Sequence, residues 1–361
     1  MKKYLTVITA LVLVAVLVAC TAVKSDNIIP DTTAKKETTT VTTTEDIQAL
    51  INLGKGKEEG IFSSSIKELP EEYYEPAENT NPVERLNYVY KDIQKGCIIY
   101  VPPGYDETKE YNIYYLLGGA LADETAFFGD AGEESVLKNV FDHMILNGEI
   151  EPFLAVNVNF FYHKNHHLDI DDGAIVNTIK QFNSELREAI IPAVEADYAT
   201  YAKGPREIDF ISSRKHRAFA GFSLGASCSF LALANNLDYF YYYAPLCGAD
   251  FAKYYPDYIT ENTIDGLRKE LVELDYTTDD FFVYATEGEN DNTFEDMNPM
   301  MEDFITNYPD LLIHTDNDKS AGNITYKVKP GWEAQHRYVL AYQYYYNSLL
   351  AFWGNDLNAN E

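Results

Sequence analysis

The chain has 361 residues, 46% hydrophobic and 24% charged, enough apolar material to bury a large core and too much for a disordered chain. Its formal net charge of −29, with no cluster of Lys and Arg, argues against a nucleic-acid partner, because phosphate binding needs concentrated cations. The acidity reads as a solvated surface.

The first element is a targeting segment over residues 1–20. Lys2 and Lys3 precede an apolar run, Leu5 to Ala19, too short for a comfortable membrane span. The run ends in Leu17-Val18-Ala19-Cys20, which resembles a bacterial lipobox and implies cleavage before Cys20 with lipid on its sulfur. The mature protein is then expected outside the cytoplasmic membrane, held there by lipid alone. Cys97, Cys228 and Cys247 remain, an odd number in apolar stretches without Cys-x-x-Cys spacing. That pattern speaks against a disulfide framework and a structural zinc site. Residues 21–60 read as a tether, since Thr32 to Thr44 offers almost nothing to bury.

A single domain is expected over 61–361. Gly96 to Val101 reads as a strand, closed by the turn cluster Pro102-Pro103-Gly104-Tyr105-Asp106. Tyr111 to Leu117 is a second strand, running into Gly118-Gly119, and Phe153 to Val158 is a third. Ile175, Ile179, Phe182, Leu186, Ile190 and Val194 recur at helical spacing, an amphipathic helix kinked or ended near Pro192. Arg217 to Phe222 reads as a buried strand and Leu224 to Asn235 as a helix. Tyr239 to Leu246, Phe281 to Thr286 and Ile324 to Val328 are further strands, and a last helix runs from about His336 to Phe352. Continuous apolar strands alternating with helices predict a largely parallel sheet covered on both faces, with ligands beyond the strand carboxyl ends.

The junction Gly221-Phe222-Ser223-Leu224-Gly225 has the Gly-x-Ser-x-Gly spacing of a nucleophile elbow, a sharp strand-to-helix turn that lifts a serine hydroxyl clear of the sheet. A serine hydroxyl attacks only when a base takes its proton, and a histidine oriented by a carboxylate does this near neutral pH. Two histidines follow Ser223, His314 and His336. His336 falls in a loop after the last predicted strand, where the base belongs, whereas His314 precedes that strand. The acid should follow the strand before, so one of Glu287, Glu289 and Asp291 is expected, with Asp291 the first choice and Glu289 the second. The amide of Leu224, with those of Gly119 or Ala120, would form the oxyanion hole.

Taken together, these stretches resemble the esterase D and feruloyl esterase group of α/β-hydrolases, carbohydrate esterase family 1, most of all feruloyl esterase modules of bacterial xylanases. The resemblance covers roughly residues 80–352, through segments such as HRAFAGFSLGASCSF, FFVYATEGENDNTFEDMNPMMEDF and GWEAQHRYVLAYQYYY. It implies an α/β-hydrolase fold, Ser223 as nucleophile, Asp291 as acid, His336 as base, and no cofactor. It also implies hydrolysis of feruloyl or acetyl esters on plant polysaccharide such as arabinoxylan. Three positions depart from the family pattern: Leu117 where a histidine usually precedes the oxyanion glycines, Ala226 in place of a second glycine, and Arg337 where an aromatic usually follows the base.

Other features bear on the substrate. Tyr162, His163, His166 and His167 sit in a loop after the third strand, at the expected site edge, without the spacing of a metal cluster. Trp332, in the loop before His336, is a candidate to line the cleft. The tyrosine runs 239–243 and 344–346 read mainly as packing, since consecutive residues face different ways. The resulting expectation is a lipid-anchored serine esterase acting on ester-decorated polysaccharide. An acetyl xylan esterase, a related acyltransferase, or a degenerate glycan-binding lipoprotein are the alternatives.

Overall fold

The computed structural model describes residues 66–355 except 121, 161–171, 258, 260 and 318. The targeting segment with Cys20, the tether, and Tyr162, His163, His166 and His167 lie outside the described residues. The strands are β1 (Glu84–Tyr90), β2 (Ile93–Tyr100), β3 (Asn112–Leu117), β4 (Phe153–Val158), β5 (Arg217–Phe222), β6 (Tyr242–Leu246), β7 (Phe282–Gly288) and β8 (Ile324–Lys329). They form one sheet in the order β1-β2-β4-β3-β5-β6-β7-β8. The pairs β1–β2 and β2–β4 are antiparallel, and every pair from β4 to β8 is parallel. The helices are α1 (Val136–Leu146), α2 (Asp172–Glu185), α3 (Ile191–Asp197), α4 (Glu207–Ser212), α5 (Leu224–Leu233), α6 (Phe251–Tyr254), α7 (Thr263–Leu274), α8 (Phe294–Asn307) and α9 (Tyr338–Trp353).

Alternation along the central strands builds two cores. Tyr114 and Leu116 pack into one layer with Leu137 and Phe141 of α1 and Tyr345 of α9. Tyr115 and Leu117 pack into the other with Phe182 of α2 and Phe230 of α5. With helices on both faces, the parallel strands are buried but for an end residue in some, which is why they read as apolar runs. Tyr344, Tyr345 and Tyr346 are fully buried, in line with the packing role expected of them.

Some local structure departs from expectation. The sequence reading places no element on β1, although Leu86, Tyr88 and Tyr90 alternate with exposed residues there. That strand returns into β2 through Lys91 and Asp92, both at positive φ (48° and 63°), a two-residue turn whose twist suits a hairpin. Helices α1, α7 and α8 were likewise not expected. Between α2 and α3 the backbone passes through a π-helical segment, Leu186–Ile190. Pro192 lies in the first turn of α3, directly after that π-helical segment, and the helical backbone continues through it. Strand β7 continues past the expected end at Thr286, through Glu287 and Gly288.

At the foot of β5, a buried ion pair ties the strand to α3. Arg217 is 1% exposed, and each of its N–H bonds has an acceptor. Nε and one terminal nitrogen bond the Glu195 carboxylate at 2.6 and 2.8 Å. The remaining N–H groups reach the Phe210 and Tyr239 carbonyls and the Ser213 hydroxyl. Glu195 also accepts from the Tyr115 and Thr200 hydroxyls. A charge pair this buried is tolerable because its polar atoms are satisfied.

Candidate active site

The serine stands on a strained turn. Ser223 has φ 62° and ψ −121°, a conformation costing a non-glycine residue about 1–3 kcal/mol and kept only where its surroundings enforce it. Its N–H donates to the Leu246 carbonyl of β6 at 2.9 Å, and its carbonyl accepts from the Ala226 N–H at 2.8 Å. The flanking glycines are steric requirements. A Cβ on Gly221 would collide with the Gly225 carbonyl, and one on Gly225 with the Leu117 carbonyl at the end of β3.

Two backbone segments meet beside that serine. Leu224 opens α5, so its amide has no carbonyl a turn earlier to bond. Gly119, just past β3, comes in close: a Cβ built on it would lie 3.4 Å from Ser223 Oγ and 3.6 Å from the Tyr338 hydroxyl. A turn closed by the Ala122 N–H to the Gly119 carbonyl, 3.0 Å, carries Gly119 and Ala120 past the serine. Leu117, where the family's histidine was expected, is buried in the core layer shared with α2 and α5.

His336 lies between β8 and α9, with its side chain 12% exposed. Its Nδ1 is 2.8 and 2.9 Å from the two carboxylate oxygens of Asp291. The ring stacks on Phe222, the residue before the serine, with centroids 4.6 Å apart and planes 26° apart. Asp291, fully buried at its side chain, also accepts from the Thr293 N–H (2.9 Å) and hydroxyl (2.8 Å). With Nδ1–H committed to the carboxylate, Nε2 carries the free lone pair. His314 bridges to Ile324 at the start of β8, the opposite end of the sheet.

The three acids after β7 have separate environments. Asp291 is the one on His336. Glu289 is at the surface and accepts from the Gly331 N–H at 2.8 Å. Glu287 is wholly buried, and burial followed by the neighbouring Asp291 charge pushes its carboxyl well above the ordinary value. Cys247 corrects the expectation of apolar surroundings. Its buried thiol lies beside Asp291 and Glu287, and burial with those two acids raises its pKa far above normal. Cys97, Cys228 and Cys247 are all free.

Cys247, Asp291 and His336 have donor atoms within 4.8 Å of one another, close enough for a metal. The fit is poor, because Nδ1 already spends its position on a hydrogen bond to the carboxylate. A cleft of about 360 Å³ lined by Tyr241, Thr278, Lys319 and Asn323 lies at the amino ends of β6 to β8, away from the serine.

Sequence reasoning passed over Tyr338, Cys247 and Thr293 as site components, and weighed Glu287 only as one of three candidates for the acid. Tyr338 packs its ring on Phe222 (5.3 Å) and Phe127 (5.6 Å). It supplies, one residue later, the aromatic that Arg337 lacks. Trp332 is 71% exposed, its loop fastened by Asn290 Nδ2 donating to the Trp332 carbonyl at 2.9 Å.

A strained serine at a strand–helix turn, on the carboxyl edge of a mostly parallel sheet, belongs to the serine hydrolases of the α/β-hydrolase fold. Within that class the chain belongs to an esterase family: a family model described as "Putative esterase" matches residues 94–329. It is 30% identical over 286 residues to endo-1,4-beta-xylanase Y of Acetivibrio thermocellus, covering 79% of this chain. The chain corresponds to only 24% of that xylanase's length. Among solved structures it is similar to one designated FAE, with 27% identity and TM-score 0.69 over 83% of this chain and 97% of the other. It is also similar to a serine-to-alanine mutant of the feruloyl esterase module from Clostridium thermocellum complexed with sinapinate. That match has 28% identity and TM-score 0.68 over 82% of this chain and 96% of the other.

Proposed function

We propose that this protein is a feruloyl esterase, releasing hydroxycinnamoyl groups from plant cell-wall polysaccharide such as arabinoxylan through an acyl-enzyme on Ser223. The observation that carries the chemistry is the bond from His336 Nδ1 to Asp291, with the imidazole stacked on Phe222 beside the strained serine. His336 Nε2 takes the Ser223 proton as Oγ attacks the ester carbonyl, and Asp291 steadies the imidazolium. The amides of Leu224 and of Gly119 or Ala120 hold the oxyanion. The sugar alcohol leaves with the proton from His336. Water, deprotonated by the same nitrogen, then frees the carboxylic acid.

The aromatic acyl reading is supported by the resemblance to a feruloyl esterase module that binds sinapinate. The partly exposed ring of Tyr338, whose hydroxyl lies beside Gly119, also offers surface to an aromatic acyl group. Trp332, exposed on the loop that leads to His336, would contact the sugar or the aryl ring. The lipobox ending at Cys20 and the Thr-rich tether support attachment to the outer face of the cytoplasmic membrane. Protein lacking residues 1–20, tested on methyl ferulate and 4-nitrophenyl acetate beside Ser223→Ala, decides the matter. Serine-dependent ferulate release is expected, with Ser223→Ala lowering kcat by about 10⁴–10⁶-fold. Turnover of acetate alone would move the protein to deacetylation. Near-wild-type turnover in Ser223→Ala would remove the serine mechanism.

A further inference from the structure

The Thr293 hydroxyl lies between two carboxyl groups. Its Oγ1 is 2.8 Å from Asp291 Oδ1 and 3.0 Å from Glu287 Oε2. A hydroxyl carries one hydrogen, so it can donate to one of these oxygens only. The other contact is a hydrogen bond only if that carboxyl supplies the hydrogen. Asp291 is not the source: it already accepts from His336 Nδ1 and from the Thr293 N–H, as a carboxylate does. Glu287 fits the donor role. Its Oε1 accepts from the Gly288 N–H at 2.9 Å, as the carbonyl oxygen of an acid would, leaving Oε2 to carry the proton towards Thr293.

The surroundings agree. Glu287 has no exposed surface, and among the described residues it forms no salt bridge. The titratable groups around it are Asp291 and His336 on the site side, Cys247 after β6, Tyr254 of α6, Tyr326 of β8 and Tyr344 of α9. None of these is a fixed cation. A second carboxylate beside Asp291 would be a like charge in a buried site, which is the less stable arrangement.

We propose that Glu287 is a neutral positioning residue of the catalytic site, donating its carboxyl hydrogen to Thr293 so that the Thr293 hydroxyl points its own hydrogen at Asp291. This inference rests on the reading of Asp291 and His336 as acid and base. The chain Glu287–Thr293–Asp291–His336 fixes the carboxylate that orients the imidazole. It also leaves one negative charge facing His336 rather than two.

Three variants and one spectroscopic readout test this. Glu287→Leu removes the donor and is expected to lower kcat about 10–100-fold with KM little changed. Thr293→Val cuts the same chain from the other end and should give a matching loss, which covers the case of Glu287→Leu failing to fold. Glu287→Gln is neutral and keeps an N–H to offer Thr293. It should recover most of the lost kcat and leave the acid limb of the kcat/KM–pH profile where wild type has it. Infrared difference spectra of wild type against Glu287→Gln should show the C=O stretch of a neutral carboxylic acid at neutral pH. That readout needs no turnover, so it separates failure of this inference from failure of the esterase mechanism. An acid limb displaced in Glu287→Gln, a missing carboxylic-acid band, or wild-type kcat in both Glu287→Leu and Thr293→Val would overturn the proposal.

Discussion

Two buried carboxyl groups lie at opposite ends of the sheet and meet opposite environments. Glu195, at the foot of β5, faces a guanidinium whose every N–H is used, and its own oxygens accept four bonds. Glu287, at the head of β7, faces another acid, a thiol and a threonine. The first arrangement neutralises a charge and holds a strand in place. The second, among the groups described around it, has no fixed cation. Burial alone therefore does not separate scaffold from chemistry in this protein. The charge balance around the buried group does.

The comparison can be broken most sharply at Asp291. Asp291→Asn keeps the shape but removes the charge that steadies the imidazolium, and kcat should fall about 10⁴-fold. The melting transition should stay near that of wild type. A comparable loss traced to unfolding would erase the distinction between the two ends. At the foot of β5 the opposite outcome is expected. Arg217→Met strands Glu195 without a cation and should cost about 3–5 kcal/mol in a denaturant titration. Turnover per folded molecule, counted by active-site titration, should hold near the wild-type value. A fall in kcat without loss of stability would mean that the ion pair serves the chemistry directly.

The smallest effect concerns pH. Because the folded state raises the Glu287 pKa above its ordinary value of 4.5, the native protein keeps a proton that the unfolded chain releases. That contribution to stability is complete below about 4.5 and declines as pH rises toward the folded value. Glu287→Gln has no proton to lose. Its stability relative to wild type should therefore improve with pH, by at most about 1.4 kcal/mol per unit. Denaturation curves for both proteins at mildly acid and mildly alkaline pH measure this. Parallel pH profiles would show that Glu287 titrates normally.

The strands that carry the site were legible because parallel strands covered on both faces leave apolar runs, and the elbow adds fixed glycines. Phe153–Val158 and Arg217–Phe222 coincide with the residues expected. The edge strand β1 is half exposed and mixes Glu84, Arg85 and Asn87 with its buried residues, which blurs the pattern. Helices α7 and α8 carry many acids on their outer faces, and Pro299 interrupts the second, so neither stood out. At the site, chain order and spacing singled out Ser223, Asp291 and His336. Neither could reveal that β7 runs two residues further and buries Glu287, nor that Cys247 arrives from β6 against the same acids. Those facts arise from three strands coming side by side, which no single segment records.

The placement of Trp332 has an optical consequence. The chain has two tryptophans: Trp332 is exposed, while Trp353, at the end of α9, has its indole nitrogen shut away from solvent. A water-soluble quencher would therefore darken mainly the indole on the loop that carries His336. Emission from one residue would then report on that loop, against a second, partly buried emitter packed on the core.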